Sequence, residues 1–222
     1  MNLLQWILNY LDTLMPLLTL IVSLFTIRKM DKKENLIIIY VGISFIVFLI
    51  SNIMADNQTN NMFLYHLFSL FEIIILSYYF LKSLLKKQLT LYWFILGGYF
   101  VFWVINIIAF ENLKLFNSNS SVVSNLIVLL LAMYYLFEVS KSEDVLYFQK
   151  LPGFWIASAF LVSCALSIFS FVAYKYFQAN NHDYKEYANK IWLVPLFAII
   201  FRFIFISIGL LCYRHRRSLS ST

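Results

Sequence analysis

Two ionisable residues of opposite charge, Glu72 and Arg202, stand inside long apolar stretches of this sequence. An ionisable side chain in hydrocarbon costs from about 3 to more than 10 kcal/mol, so such a residue usually has a partner or a function. Glu72 follows Met62, where its apolar stretch begins, by ten residues, and Arg202 follows Ile191 by eleven. With a helical rise of about 1.5 Å per residue, both lie roughly 15 Å deep, which predicts an ion pair or a ligand shared between them.

This pair of charges has two interpretations. It can fasten two helices together, or it can form part of a binding site. The desolvation of a buried ion pair can exceed its Coulombic gain, so stability alone does not account for the pair. We therefore keep the structural clamp and the site as open alternatives.

Further polar side chains collect in one half of the apolar stretches, the half that the charge distribution assigns to the outer leaflet. They are Asp12, Asn52, His66, Asn106, Asn125, Ser167 and Ser170. A one-sided cluster predicts a cavity open to the outside, with Glu72 and Arg202 at its floor. We predict that His66, Asn106 and Asn125 bind a ligand there together with the charged pair. For a single Asn or Ser, a hydrogen bond between helices is the simpler alternative.

Motifs of enzymes and metal sites are missing from the sequence. It contains no HExxH, no GxSxG, no Gly-rich phosphate loop and no Cys/His cluster. Cys164 and Cys212 both fall in apolar stretches and offer neither a disulfide framework nor zinc spacing. We therefore expect no metal, no cofactor and no assignable catalytic residue, and leave open whether the protein is an enzyme.

The composition indicates which elements must position these side chains. Of 222 residues, 62% are hydrophobic and 13% charged, whereas soluble domains carry roughly 25% charged residues. The apolar excess must face lipid, and a bilayer-spanning helix needs about 20 residues. We predict one all-α domain, residues 1–222, a bundle of seven transmembrane helices at about 4–27, 36–54, 62–85, 89–110, 122–139, 154–177 and 191–212.

The distribution of basic residues predicts the orientation of the bundle. With the N-terminus outside, twelve Lys and Arg residues fall in cytoplasmic loops and the C-terminal tail, and four fall outside. This bias follows the positive-inside rule, so we place the N-terminus outside, the C-terminus in the cytoplasm and the protein in the inner or plasma membrane. The net charge of +6 then faces lipid headgroups, which argues against nucleic acid as a partner.

Two local patterns predict structure after the fifth segment and packing of the sixth. Ser140 and Glu143 have the spacing of a capping box before Val145, which predicts either a short surface helix or a plain loop. Small residues recur on one face of the sixth segment, which predicts close packing of another helix. They are Ala159, Ser163, Ser167 and Ser170.

The third segment carries a resemblance. The run NMFLYHLFSLFEIIILSYYFLK, with Tyr65, Glu72 and the aromatic residues 78–80, resembles the third span of small, uncharacterised bacterial seven-helix membrane proteins. It is also similar to the membrane sensor regions attached to signalling domains. The resemblance implies a bacterial sensor-like protein with seven helices and carries no catalytic residue over to this chain.

Three functions fit these observations. Our leading hypothesis is a sensor-like or accessory membrane protein whose outer cavity binds a small or lipidic ligand and which signals through a cytoplasmic or membrane partner. The first alternative is an intramembrane enzyme acting on lipid or a membrane peptide, with Glu72 or His66 as general base. The second alternative is a proton-coupled transporter, because membrane carboxylates often relay protons.

Overall fold

Seven α-helices make up most of the described part of the chain. The structure is a computed structural model that describes residues 10–32, 34–86, 89–141, 143–180, 191 and 193–216. The helices are α1 (Leu11–Leu24), α2 (Leu36–Asp56), α3 (Met62–Tyr78), α4 (Leu89–Ala109), α5 (Ser118–Ser140), α6 (Pro152–Asn180) and α7 (Leu193–Arg216). Within those ranges there is no β-strand, so the all-α prediction is confirmed.

Six helical segments of 21 to 26 residues are long and apolar enough to cross a membrane. Five lie in α2, α4, α5, α6 and α7, and the sixth is α3 with its continuation to Leu84. They are compatible with a multi-pass membrane protein, because a helix satisfies its backbone polar groups by internal hydrogen bonds while its apolar side chains face lipid. The first helix, α1, has 14 residues. The first part of the predicted span 4–27 lies outside the described residues, so a seventh crossing stays a prediction, as does the orientation.

A π-helix continues α3 from Tyr79 to Leu84. The wider turn is closed by the amide of Leu85, which donates to the carbonyl of Phe80 at 2.9 Å. Tyr79 and Phe80 are fully buried at this point, so the change of pitch turns two aromatic rings into the core. Nothing in the hydrophobic pattern predicted it, because a π-turn needs only one extra residue in an otherwise helical stretch.

Two connections contain short 3₁₀ turns. One spans Ile27–Lys29. The other spans Glu143–Lys150 and is interrupted at Tyr147, whose φ of −124° is not helical. The segment after the predicted capping box is thus a short, interrupted 3₁₀ helix, and its position at a membrane surface stays a prediction.

Helices α1, α2, α3, α5, α6 and α7 form a closed ring in that order, because each packs against the next and α7 returns to α1. Helix α4 packs on the outside, against α3 and α5. Side chains on the inward faces of α3 and α7 therefore point towards the centre of the ring. The outward faces carry exposed apolar residues such as Phe94 and Ile108, as expected of helices that meet lipid.

Helices α6 and α7 approach each other closely at Gly209. A Cβ atom built there would lie 2.9 Å from Cγ1 of Ile156 and 3.0 Å from the carbonyl oxygen of Pro152. All four residues of the predicted small-residue face on α6 are buried, and Ser163 among them hydrogen-bonds α7 through Arg202. Small side chains let two helices pack at short distance when the hydrophobic effect contributes little between them.

Candidate functional site

The charged pair forms a direct contact in the centre of the ring. Nη1 of Arg202 on α7 lies 2.9 Å from Oε1 of Glu72 on α3. Glu72 is 4% and Arg202 8% exposed. The predicted ion pair is therefore present between these two helices.

A third helix joins the pair through Tyr40 of α2. Nη1 of Arg202 donates to the Tyr40 hydroxyl at 2.7 Å, and this hydroxyl donates to Oε1 of Glu72 at 3.1 Å. The three side chains form a closed triangle of hydrogen bonds. Sequence reasoning missed Tyr40, since one tyrosine among the 15 of the chain gives no sign of a buried role.

Helix α6 completes the surroundings of the guanidinium. Nε of Arg202 donates to Oγ of Ser163 at 2.8 Å, and Nη2 faces Sγ of Cys164 at 3.9 Å. The ring of Phe160 lies 5.4 Å from Cζ of Arg202, within the range of a cation–π contact. All three nitrogens thus have a protein partner, and the pair holds α2, α3, α6 and α7 together.

A cavity of about 530 Å³ ends at this pair. Its mouth lies where α1, α3, α5 and α7 begin, near Asp12, Asn61, Asn117 and Leu193. The wall is mostly apolar and aromatic, with polar groups spaced along it, as in pockets that bind small molecules. The remaining lining residues are Phe48, Met62, Tyr65, Phe68, Ser69, Glu72, Phe116, Ser121, Asn125, Ser167, Phe171, Pro195, Leu196, Ile199 and Arg202.

The structure brings three of the five predicted site residues to this cavity. Glu72, Arg202 and Asn125 line it. His66 lies behind the wall, fully buried, with Nε2 at 3.2 Å from the carbonyl oxygen of Leu115. Asn106 also lies outside the lining. Ligand binding by any of the five stays a prediction, and the enzymatic alternative keeps only Glu72 as a base facing the cavity.

Asn106 belongs to a separate polar cluster that fixes the start of α5. The carboxylate of Glu111 accepts from Oγ of Ser118 at 2.5 Å, from the backbone amide of Asn119 at 2.9 Å and from Nδ2 of Asn106 at 3.2 Å. Lys175 of α6 reaches the same carboxylate at 3.3 Å. A carboxylate at the first amides of a helix satisfies donors that have no partner within the helix. We interpret this cluster as structural.

The mouth is bordered by a second set of hydrogen bonds between helices. Nδ2 of Asn52 on α2 donates to Oδ1 of Asp12 on α1 at 2.9 Å. Asn61 donates to Oγ of Ser51 at 2.7 Å, and Ser51 donates to the hydroxyl of Tyr65 at 2.8 Å. These contacts position Asp12, Asn61 and Tyr65 along the entrance.

Asn61, Asn117 and Ser121 were absent from the predicted set. Asn117 and Ser121 fall in the stretch that the sequence assigned to a polar outer loop, because the fifth apolar run starts only at Val122. Helix α5 in fact begins at Ser118, so its first turn carries Ser121 into the wall. Pro195 of α7 also lies in the wall.

Comparison of the chain with protein-family models, curated proteins and solved structures found no match. Across the part of the chain that is described, no three His, Cys, Asp or Glu side chains are grouped so as to hold a metal ion. The cavity and the charged pair at its floor are therefore the features of the molecule that bear on its function.

Proposed function

We propose that this protein is a sensor-like or accessory membrane protein that binds a small or lipidic ligand in the cavity. Binding would be passed to a cytoplasmic or membrane partner through the helices that meet at the Glu72–Arg202 pair. In the orientation that the positive-inside rule predicts, the mouth of the cavity faces the outside. The ligand would then enter from that side.

A single observation carries this proposal: the cavity ends on a buried ion pair that is shared by four helices. A ligand that contacts Glu72 or Arg202 changes the balance of a hydrogen-bond network to which α2, α3, α6 and α7 all contribute. Such a network is a physical route from an occupied site to the arrangement of helices. The resemblance of the third helix to bacterial sensor regions supports the same function.

The test is to purify the protein from its native membranes under mild conditions and identify co-purifying small molecules by mass spectrometry. We expect a reproducible ligand in the wild type and its loss in Ser167→Trp. Ser167 lies on α6, lines the cavity and is 7% exposed, so a large ring there fills the site. Val172→Trp is the matched control, because Val172 is on the same helix with 54% of its surface exposed.

Two results would contradict the proposal. One is that the wild type and Ser167→Trp carry the same co-purified molecules, or none, while circular dichroism shows that both proteins are folded. The other is cross-linking in native membranes that captures no reproducible partner protein. If Ser167→Trp does not fold, Ser167→Leu replaces it, with Val172→Leu as its control.

A further inference from the structure

Among the described residues, the charged groups that line the cavity do not balance. Two carboxylates, Asp12 near the mouth and Glu72 at the floor, face one guanidinium, Arg202. Arg202 is already neutralised by Glu72 at 2.9 Å. Asp12 has amide and hydroxyl neighbours in Asn52 and Thr13, so the lining carries one negative charge in excess. A low-dielectric surrounding makes such an excess attract a cation strongly.

The nitrogen donors of the wall are already engaged with the protein. Arg202 directs its three nitrogens to Ser163, Tyr40 with Glu72, and Cys164. The amide groups of the wall also donate inwards: Asn61 to Ser51, Asn117 to Oγ of Ser121 at 2.8 Å and Asn125 to the carbonyl of Ser121 at 2.7 Å. Nη2 of Arg202 and the amides of Asn117 and Asn125 each keep a second N–H. A phosphate or carboxylate would have only these donors, and at the floor it would face the carboxylate of Glu72 beside the guanidinium.

Acceptor oxygens, in contrast, are left over. Oδ1 of Asn125 is buried without a hydrogen-bond partner, and Asn125 as a whole is 4% exposed. Glu72 accepts both of its hydrogen bonds at Oε1, and Asp12 accepts all of its bonds at Oδ1, so among the described residues each has a second oxygen without a donor. An unsatisfied buried acceptor costs about 1–3 kcal/mol, which a donating ligand recovers.

The aromatic part of the wall favours the same class of ligand. Five rings line the cavity, those of Phe48, Tyr65, Phe68, Phe116 and Phe171. The negative face of an aromatic ring attracts organic cations, most strongly where water is excluded. The same rings offer apolar surface to the body of the ligand.

We infer that the ligand is a protonated amine on an apolar body, whose ammonium group donates to Glu72 and Asn125 while its body contacts the aromatic wall. This inference rests on the proposed function, because it names the ligand class of that cavity. It assigns Asn125 a binding role through its free carbonyl oxygen. It assigns Asp12 a role in attracting the cation at the mouth.

Three probes of one shape and different charge test the inference: 4-phenylbutylamine, 4-phenylbutan-1-ol and 4-phenylbutanoate. Each is titrated by calorimetry at neutral pH into the full-length protein in nanodiscs of phosphatidylcholine, with empty nanodiscs as blank. We expect the amine to bind at least about tenfold more tightly than the alcohol, the value of one charge-assisted hydrogen bond. The carboxylate should bind more weakly than both.

Substitutions locate the effect. Asp12→Asn removes the excess charge and should weaken amine binding about tenfold while leaving binding of the alcohol unchanged. The control is Asp56→Asn, which makes the same charge change at the same end of the bundle, on a residue that contacts Tyr10 and does not line the cavity. Asn125→Leu should weaken the amine more than the alcohol, because it removes the free acceptor.

The outcomes separate the ligand class from the proposed function. Preferential binding of the carboxylate, or equal losses in Asp12→Asn and Asp56→Asn, overturns the cationic ligand. If that carboxylate binding disappears in Ser167→Trp, the cavity still binds a ligand and the proposed function stands. Absence of binding by all three probes, or a native co-purified ligand without a basic nitrogen, also overturns the inference and leaves the proposed function to its own test.

Discussion

At the scale of single residues, the contact between Glu72 and Arg202 determines how the centre of the bundle responds to substitution. Each charge has been removed from water, which costs several kcal/mol per ion, and the mutual attraction and the hydrogen bonds of Tyr40 and Ser163 offset that cost. Removing both charges together should therefore change the free energy of unfolding little. Removing one of them should lower it strongly, because the other charge stays buried without its partner. This asymmetry can be measured.

We predict that Glu72→Gln and Arg202→Met each destabilise the protein by about 3–5 kcal/mol, because each leaves the other charge buried without its partner. The double variant should be more stable than either single variant, since no buried charge remains. The measurement is the free energy of unfolding in detergent micelles for the four proteins of the cycle. Losses that simply add in the double variant would contradict a direct pair.

At the scale of elements, Glu111 connects the end of α4 to the start of α5. Its carboxylate is 6% exposed and accepts from a side-chain hydroxyl, a backbone amide and an amide side chain. Phe116 and Asn117 of the same connection line the cavity. The anchor therefore also determines the position of one part of the mouth.

We predict that Glu111→Gln lowers the free energy of unfolding by about 1–3 kcal/mol, because the amide replaces two acceptor oxygens by one and removes the partner of Lys175. Hydrogen exchange at residues 112–119 should increase with it. The control is Glu138→Gln, since Glu138 contacts Lys141 at 3.8 Å with 40% of its side chain exposed, and exposed pairs contribute about 0–1 kcal/mol. Equal effects of the two substitutions would show that the anchor has no special role.

The interface of α6 and α7 leads to a further prediction. Gly209→Ala should destabilise the protein by about 1–3 kcal/mol, because the new methyl group meets Ile156 and the backbone of Pro152 at 3.0 Å or less. Gly98→Ala on α4 is the matched control, since a Cβ there has no neighbour within 4 Å. It should be neutral or slightly stabilising, by up to about 1 kcal/mol. Thermal unfolding in the same lipid or detergent compares the two, and a larger loss for Gly98→Ala would be inconsistent with this packing.

At the scale of the whole molecule, the sequence predicted where the helices lie along the chain better than which side of each helix faces the cavity. Apolar length locates a helix: α2 begins at Leu36 and α3 at Met62, where two of the apolar runs of the sequence also begin. Helix α5 begins at Ser118 instead of Val122, because buried partners such as Glu111 allow a polar first turn. Depth along a helix is also readable from the sequence, which is why Glu72 and Arg202 could be matched.

Rotation about a helix axis was not readable, and this accounts for the differences at the site. His66 and Asn106 have the right depth, but their helices turn them towards Leu115 and Glu111. Tyr40 faces the network, yet hydrophobic residues on all sides of α2 give no periodic signal for its direction. A fully lipid-surrounded bundle lacks the polar outer face that reveals rotation in soluble helices.

The orientation of the bundle decides from which compartment a ligand reaches the cavity. The positive-inside rule predicts that the connection between α2 and α3, and that between α4 and α5, face the outside. We predict that single cysteines at Asn57→Cys and Asn112→Cys react with a membrane-impermeant maleimide in intact cells. Cysteines at Asp31→Cys and Ser140→Cys should react only after permeabilisation. All four positions are exposed, and none removes a lysine or an arginine.

The background for this experiment carries Cys212→Ser, because Cys212 is partly accessible, and keeps Cys164, which is buried beside Arg202. If Asp31→Cys and Ser140→Cys react in intact cells, the orientation is opposite to the predicted one. The cavity would then take its ligand from the cytoplasm. Different behaviour within either pair would mean that one of the helices between the two positions does not cross the membrane. The cavity and the charged pair would persist in both cases, since they depend on the contacts among α2, α3, α6 and α7 and not on the side that each end faces.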